Sequence, residues 1–159
     1  MRAFERMARF SDRVFDRVRH KGAFSLTDDD AVDGDFDSLR GHRYAVLVTL
    51  RRNGDVVPSP VWFGLDEAGH AYVKTRHDAG KVKRLRNDAR VLVAPSNARG
   101  KPTGPAIRGT GCVLAEHEWP RAERALAAAY GAGRRMSERV LGGPSEMAAY
   151  LEIRPGRGA

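Results

Sequence analysis

The sequence predicts a mainly β chain folded as a small antiparallel barrel with short helices at its margins. Three observations carry that prediction: apolar runs of strand length, Asn-Gly and Gly-containing turns between them, and only a few segments of helical period. The 159 residues make one domain's worth of chain. With 42% hydrophobic and 30% charged residues the composition is globular rather than disordered. No apolar run approaches the roughly 20 residues of a membrane span, and the first residues lack the apolar stretch and cleavage site of a signal peptide. The single cysteine, Cys112, excludes an internal disulfide and a Cys-rich zinc site. A cytoplasmic location is expected.

Residues 2–20 read as an amphipathic helix, with Phe4, Met7, Ala8, Val14, Phe15 and Val18 near helical spacing and arginines between them. It suits packing on the domain or on a second subunit better than a membrane surface, although its Arg-rich polar face permits the latter. Segment 27–37 carries six aspartates and no base, and reads as a loop or linker of mutually repelling charges. The expected division is a 1–40 extension, a 41–155 barrel domain and a 156–159 tail. Tyr44–Leu50 suits a buried strand, Asn53-Gly54 a hairpin turn, and 56–65 the return strand. Pro58 and Pro60 in that return strand remove backbone donors, which places it at an edge, at a bulge or facing a ligand. Strands follow at 70–75, 91–95, 105–116 and 147–153, six in all. In the fifth, Ile107, Gly109, Gly111 and Val113 share a face. Short helices are expected at 79–87, with Val82 and Leu85 inward, at 119–130 with Pro120 near its start, and at 134–141.

The net charge is +8, which points to an anionic partner. Segment 74–101 holds nine bases against Asp78 and Asp88, nearly the whole excess, so the anion-binding surface is expected to be local. Several catalytic patterns are absent. Gly80-Lys81 lacks the earlier glycine and the following hydroxyl of a phosphate loop, Gly109-Thr110-Gly111 lacks the third glycine of a dinucleotide fingerprint, and no Gly-x-Ser-x-Gly elbow occurs. The five histidines are scattered, and Cys112 reads as a small core filler rather than a nucleophile. An enzyme built this way takes its chemistry from a bound cofactor.

Three features converge on such a cofactor. Ser59-Pro60-Val61-Trp62 offers a flat ring a strand edge with free backbone groups; the plain alternative is an edge strand with Trp62 in the core. Thr75-Arg76 and Gly80-Lys81 place a hydroxyl, a glycine and cations where a strand ends and a helix starts, a setting that accepts phosphate. Pro95, Ser96 and Arg99 lie at a rigid basic loop between two strands, from which Ser96 and Arg99 can reach an anionic tail.

The run from Tyr44 to Leu114, YAVLVTLRRNGDVVPSPVWFGL through HAYVKTRHDAGKVKRLRNDARVLVAPSNARGKPTGPAIRGTGCVL, resembles the pyridoxamine-phosphate-oxidase-like flavin and deazaflavin oxidoreductases. It is most similar to their F420-dependent actinobacterial branch, and YLEIRP at 150–155 resembles the family's last strand. The resemblance implies a six-stranded Greek-key split β-barrel of the FMN-binding type, working as a homodimer with cofactor sites at the interface. It implies that Pro60, Val61 and Trp62 line the deazaflavin ring, that Thr75, Gly80 and Lys81 form the phosphate-binding turn, and that Ser96 and Arg99 come from a loop beside the site. Coenzyme F420, with its phosphodiester and oligoglutamate tail, is the expected cofactor and FMN the alternative. One departure is Ser96, where the branch commonly has a cysteine after the proline.

The expected activity is hydride transfer from reduced F420 to an electron-poor small-molecule acceptor. Ser59 and His77 are weak proton-donor candidates, and water serves otherwise. The rivals are an FMN oxidase or reductase, a non-catalytic deazaflavin or tetrapyrrole carrier, and a nucleic-acid-binding module. The last is disfavoured, because 74–101 contains no aromatic residue for base stacking and no recognition-helix or zinc-finger pattern occurs.

Overall fold

The computed structural model describes residues 21–130 and 147–156. The helices expected at 2–20 and 134–141 and the end of the tail lie outside them. Seven strands form one antiparallel sheet: β1 (Tyr44–Leu50), β2 (Val56–Trp62), β3 (Gly64–Leu65), β4 (Ala71–Arg76), β5 (Arg90–Ser96), β6 (Ile107–Val113) and β7 (Ala148–Pro155). Their spatial order is β2-β1-β5-β6-β7-β4-β3. Among the described residues two α-helices accompany them, α1 (Gly80–Asn87) and α2 (Trp119–Tyr130). The strand β5 returns beside β1 rather than beside β4, which is a Greek-key crossover.

The expected six strands become seven because the run 56–65 divides at Phe63. Its first part pairs with β1 and its last two residues pair with β4. The helix α2 causes the break. Phe63 donates its N–H to the Tyr130 hydroxyl at 2.6 Å instead of to a strand, and a Cβ on Gly64 would collide with the Ala125 backbone. The two outermost strands of the sheet are therefore joined by one residue, so the sheet must roll until its edges meet. The product is a barrel split along a seam. Beyond the two-residue β3, residues Val73–Arg76 of β4 keep a single ladder partner, β7. Pro58 and Pro60 fit because β2 is an edge: lying two apart, they turn the same side of the strand outward, and no ladder bond is lost there.

The hairpin turn is as expected. Gly54 has φ +88°, a left-handed conformation that side chains disfavour, and Asn53 brackets it through Asp55. Inside the barrel lie Ala45, Leu47, Val61, Val73, Val91, Val93, Ile107, Leu151 and Ile153, with Val82 and Leu85 of α1 closing one end. Gly111 faces that same interior, and a Cβ there would press on Leu85. Outside, α2 covers Tyr72 and Tyr150 of β4 and β7.

The acidic segment is docked rather than loose. Val32 bridges to Ile107, Asp28 and Asp33 pair with Arg108 at 2.9 and 3.3 Å, and Ala31, Phe36 and Leu39 are buried. Exposed ion pairs contribute little; the apolar residues set among the aspartates hold the segment down, at roughly 1.5–3 kcal/mol for a fully buried large side chain. No helix among the described residues is long and apolar enough to cross a membrane.

Candidate functional site

The first polar cluster stands where α1 meets the barrel. The strand β4 ends at Arg76, and Arg76 and Asp78 form a two-pronged ion pair at 2.8–2.9 Å that holds the Asp78 carboxyl below its ordinary pKa. Helix α1 then starts at Gly80, and its N-cap residue Ala79 has no side chain that can cap it, at the end of the helix that carries partial positive charge. Lys81 reaches back to Thr75, Nζ to Oγ1 at 3.4 Å. Arg84, one turn further on, donates Nε–H to the Oγ1 of fully buried Thr49 at 2.6 Å. Its guanidinium lies over Gly80, where a Cβ would stand 2.7 Å from the Arg84 NH1 nitrogen. The glycine is thus what lets the guanidinium lie across the helix start. Thr75, Gly80 and Lys81 come together as expected. Arg84 and Thr49 are additions that the sequence did not announce. Arg84 reads as a solvated helix position, and only the fold brings Thr49, 35 residues earlier, within its reach.

The second cluster lies at the far end of β1. Strand alternation sends Ser59 and Val61 toward the barrel interior with their register partners Leu47 and Ala45, while Pro60 and Trp62 point outward with Val46 and Tyr44. Four consecutive residues therefore divide between two faces. Trp62 is held edge-on by Tyr44 at 5.8 Å and stacked on Tyr130 at 5.3 Å. The Tyr130 hydroxyl, besides accepting from Phe63, donates to the Arg43 carbonyl at 3.0 Å, and burial pushes its pKa up to about 12. Ser96 pairs with Tyr44 across the ladder, and Pro95 with Ala45. The basic loop that follows is built on Asn97, whose Oδ1 accepts the N–H groups of Arg99 and Lys101 at 2.9 and 3.0 Å. Gly100, at φ +80°, packs directly on the Pro60 ring.

The nine bases of 74–101 therefore do not make one surface. Arg84 meets Thr49, whose partner is Val57; the Arg99 loop meets Tyr44 and Pro60. From Val46, where Gly100 packs, to Thr49 is three residues of strand, about 10 Å. The edge strand β2 runs the whole way between them.

Elsewhere, His42, His77 and His117 are exposed, and His70 stands 3.6 Å from Asp66. Cys112 is exposed on β6 instead of filling the core, because its strand alternates with Gly111 inward. Its thiol is raised by desolvation and by the nearby Glu152, the opposite of activation. No group of three metal-ligating side chains occurs among the described residues. The sequence also did not signal a buried carboxylate. Glu152, 1% exposed, accepts from Tyr72 at 2.9 Å, Arg121 at 2.9 Å and Arg154 at 2.7 Å. Burial works to raise its pKa, and the hydrogen bonds from Arg154 and Tyr72 outweigh that and hold it below the ordinary carboxylate value.

This seam-split, mainly antiparallel sheet is the fold of the pyridoxamine-phosphate-oxidase-like split barrels. Solved structures of that fold align with about three quarters of it, at low identity. A protein from Listeria innocua described as a candidate pyridoxamine 5'-phosphate oxidase shares 17% identity over 75% of this chain and 88% of its own, with a TM-score of 0.53. An FAD-binding protein from Mesorhizobium loti shares 14% over 75% and 83%, TM-score 0.55. The heme storage protein HutZ from Vibrio cholerae shares 12% over 79% and 93%, TM-score 0.57. The chain spans 52% of the length of a further structural relative, Atu2129 from Agrobacterium tumefaciens. No protein-family profile matches the chain, and no curated protein matches it in sequence.

Proposed function

We propose that the protein is an oxidoreductase that binds coenzyme F420 and reduces an electron-poor organic acceptor. The observation that carries this reading is the cluster of Thr75, Gly80, Lys81, Thr49 and Arg84 at a helix start, at one end of the open β2 edge. Lys81 and Arg84 supply charge-assisted donors for a phosphodiester, and Thr49 holds Arg84 in place for it. Along β2 the ring lies toward Pro60 and Trp62, against the outer edge of the strand. The oligoglutamate tail leaves past the exposed Lys83 and Arg86 of α1. When bound, the deazaflavin supplies the hydride. The chain's own part is to hold ring and acceptor at near-attack distance and keep their orientation. The Tyr130 hydroxyl is already engaged, accepting from Phe63 and donating to the Arg43 carbonyl, and the proton comes from water. The cofactor sites form at the interface of a homodimer.

Titration with F420 and FMN in parallel, at low and moderate salt, tests this reading. The expected result is tighter F420 binding that weakens more steeply with salt, because F420 carries more negative charge. Tighter binding of FMN or of haem would overturn the cofactor assignment and leave the fold. A monomeric mass by light scattering, with cofactor bound, would overturn the dimer.

A further inference from the structure

We propose that the loop at 97–104 is an acceptor-recognition loop and that the acceptor carries an anionic group. The inference rests on the cofactor reading above and departs from the sequence expectation that Arg99 holds the cofactor. F420 is covalently ordered as ring, side chain, phosphodiester, tail. If the phosphodiester lies at Lys81 and Arg84, the ring lies up β2 toward Trp62, and the tail must run the other way. The loop that carries Arg99 and Lys101 packs through Gly100 on Pro60, about 10 Å along the strands from Thr49 and on the ring side of the phosphodiester, where the tail of the same cofactor does not go.

The loop's backbone is fixed at both cationic positions. The Asn97 side chain accepts both the Arg99 and the Lys101 N–H. Its backbone bonds Gly100 and Lys101, and the Ser96 hydroxyl donates to its carbonyl at 3.0 Å. Thr103 bonds back to Pro95 at 2.8 Å. Gly100 is fixed on Pro60, and the two cations flank it. A side chain at position 100 would meet the Pro60 ring at 2.9 Å, so the glycine permits the close approach. The loop therefore presents two exposed positive charges beside the outward-facing Pro60 and the Trp62 stack. They are ready for a carboxylate, sulfonate or phosphate on the molecule that approaches the ring.

The test uses the full chain, reduced F420 and two generic acceptors, 1,4-naphthoquinone and 1,4-naphthoquinone-2-sulfonate. In each turnover the quinone takes the hydride and one proton from water to become the hydroquinone, and the deazaflavin is oxidised. Comparing each variant with the wild type cancels the intrinsic difference in quinone potential. The Arg99→Ala/Lys101→Ala double variant is expected to lower the ratio of kcat/KM for the sulfonate over the neutral quinone at least tenfold. The F420 dissociation constant should change less than twofold. Asn97→Ala, which keeps both cations and frees the loop, should lower the same ratio by a smaller factor. Quenching of tryptophan emission by the sulfonate provides a readout independent of turnover, and should weaken in parallel. An unchanged ratio, or a tenfold loss of F420 affinity in the double variant, would overturn the inference and, in the second case, return the loop to the cofactor. Failure of the wild type to bind F420 would instead sink the cofactor reading, and this inference with it.

Discussion

Two polar clusters on this barrel look alike in composition and differ in construction. Around Glu152, the partners are charges of opposite sign: Arg121 and Arg154 on the carboxylate, Glu118 on Arg121, and the Tyr72 hydroxyl between Glu152 and Asp66. At the start of α1, cations reach hydroxyls, Lys81 to Thr75 and Arg84 to Thr49. The first cluster neutralises itself under α2 and ties that helix to β7. The second sets Lys81 and Arg84 beside the hydroxyls of Thr75 and Thr49 at the start of a helix. On the proposed function the first cluster stabilises the fold and the second binds a ligand, and substitutions should divide the same way.

The largest effect is expected from Glu152→Gln. Removing the charge weakens the buried hydrogen bonds from two partly exposed guanidinium groups, a loss of about 2–3 kcal/mol of stability. Denaturant unfolding measures it, and F420 affinity should hardly move. A loss under 1 kcal/mol would erase the contrast. The pH dependence carries a definite sign. Glu152 is held below its unfolded-state pKa, so its contribution is complete above about pH 4.5 and is lost as pH falls through the lowered folded value. Wild-type stability should therefore drop more steeply than that of Glu152→Gln on acidification, and parallel curves would contradict the assignment.

Lys81→Ala should do the reverse, weakening F420 binding by about 1.5–3 kcal/mol, the range of a charge-assisted bond, with an unchanged denaturation midpoint. An unaltered dissociation constant would remove Lys81 from the site. Tyr130→Phe tests the seam. It orphans the Phe63 N–H and should cost roughly 1–2 kcal/mol of stability, with altered emission from Trp62, which stacks on that ring. Thr49→Val is the smallest. It takes away the hydroxyl that accepts from Arg84, and about 1 kcal/mol of cofactor affinity should go with it. If affinity stays level, Arg84 does not depend on Thr49.

Much of the barrel was legible in the chain. The β1 strand and α2 fall on the expected residues, and the Asn53-Gly54 turn and the edge character of the Pro58–Pro60 run follow from backbone chemistry that acts locally. The break at Phe63 was not legible, because its cause is the Tyr130 hydroxyl and the Ala125 backbone, more than 60 residues away. The docking of the acidic segment was missed because its partner, Arg108, lies about 75–80 residues on. Charge counting also misled: nine bases within 28 residues of sequence look like one patch, but α1 and β5 carry them to opposite ends of β1.

What the sequence determined by itself was the set of local preferences: where strands run, where glycine must turn the chain, where proline forbids a neighbour, and which residues can carry an anion. Those depend on each residue's own backbone and side-chain chemistry. Only the tertiary structure decided which strand edges meet, which face Pro60 and Trp62 take, that Arg84 turns onto Thr49, and that Arg99 stands far from Lys81. These are contacts between distant segments, and their geometry exists only once the sheet has rolled and α2 has closed over its seam.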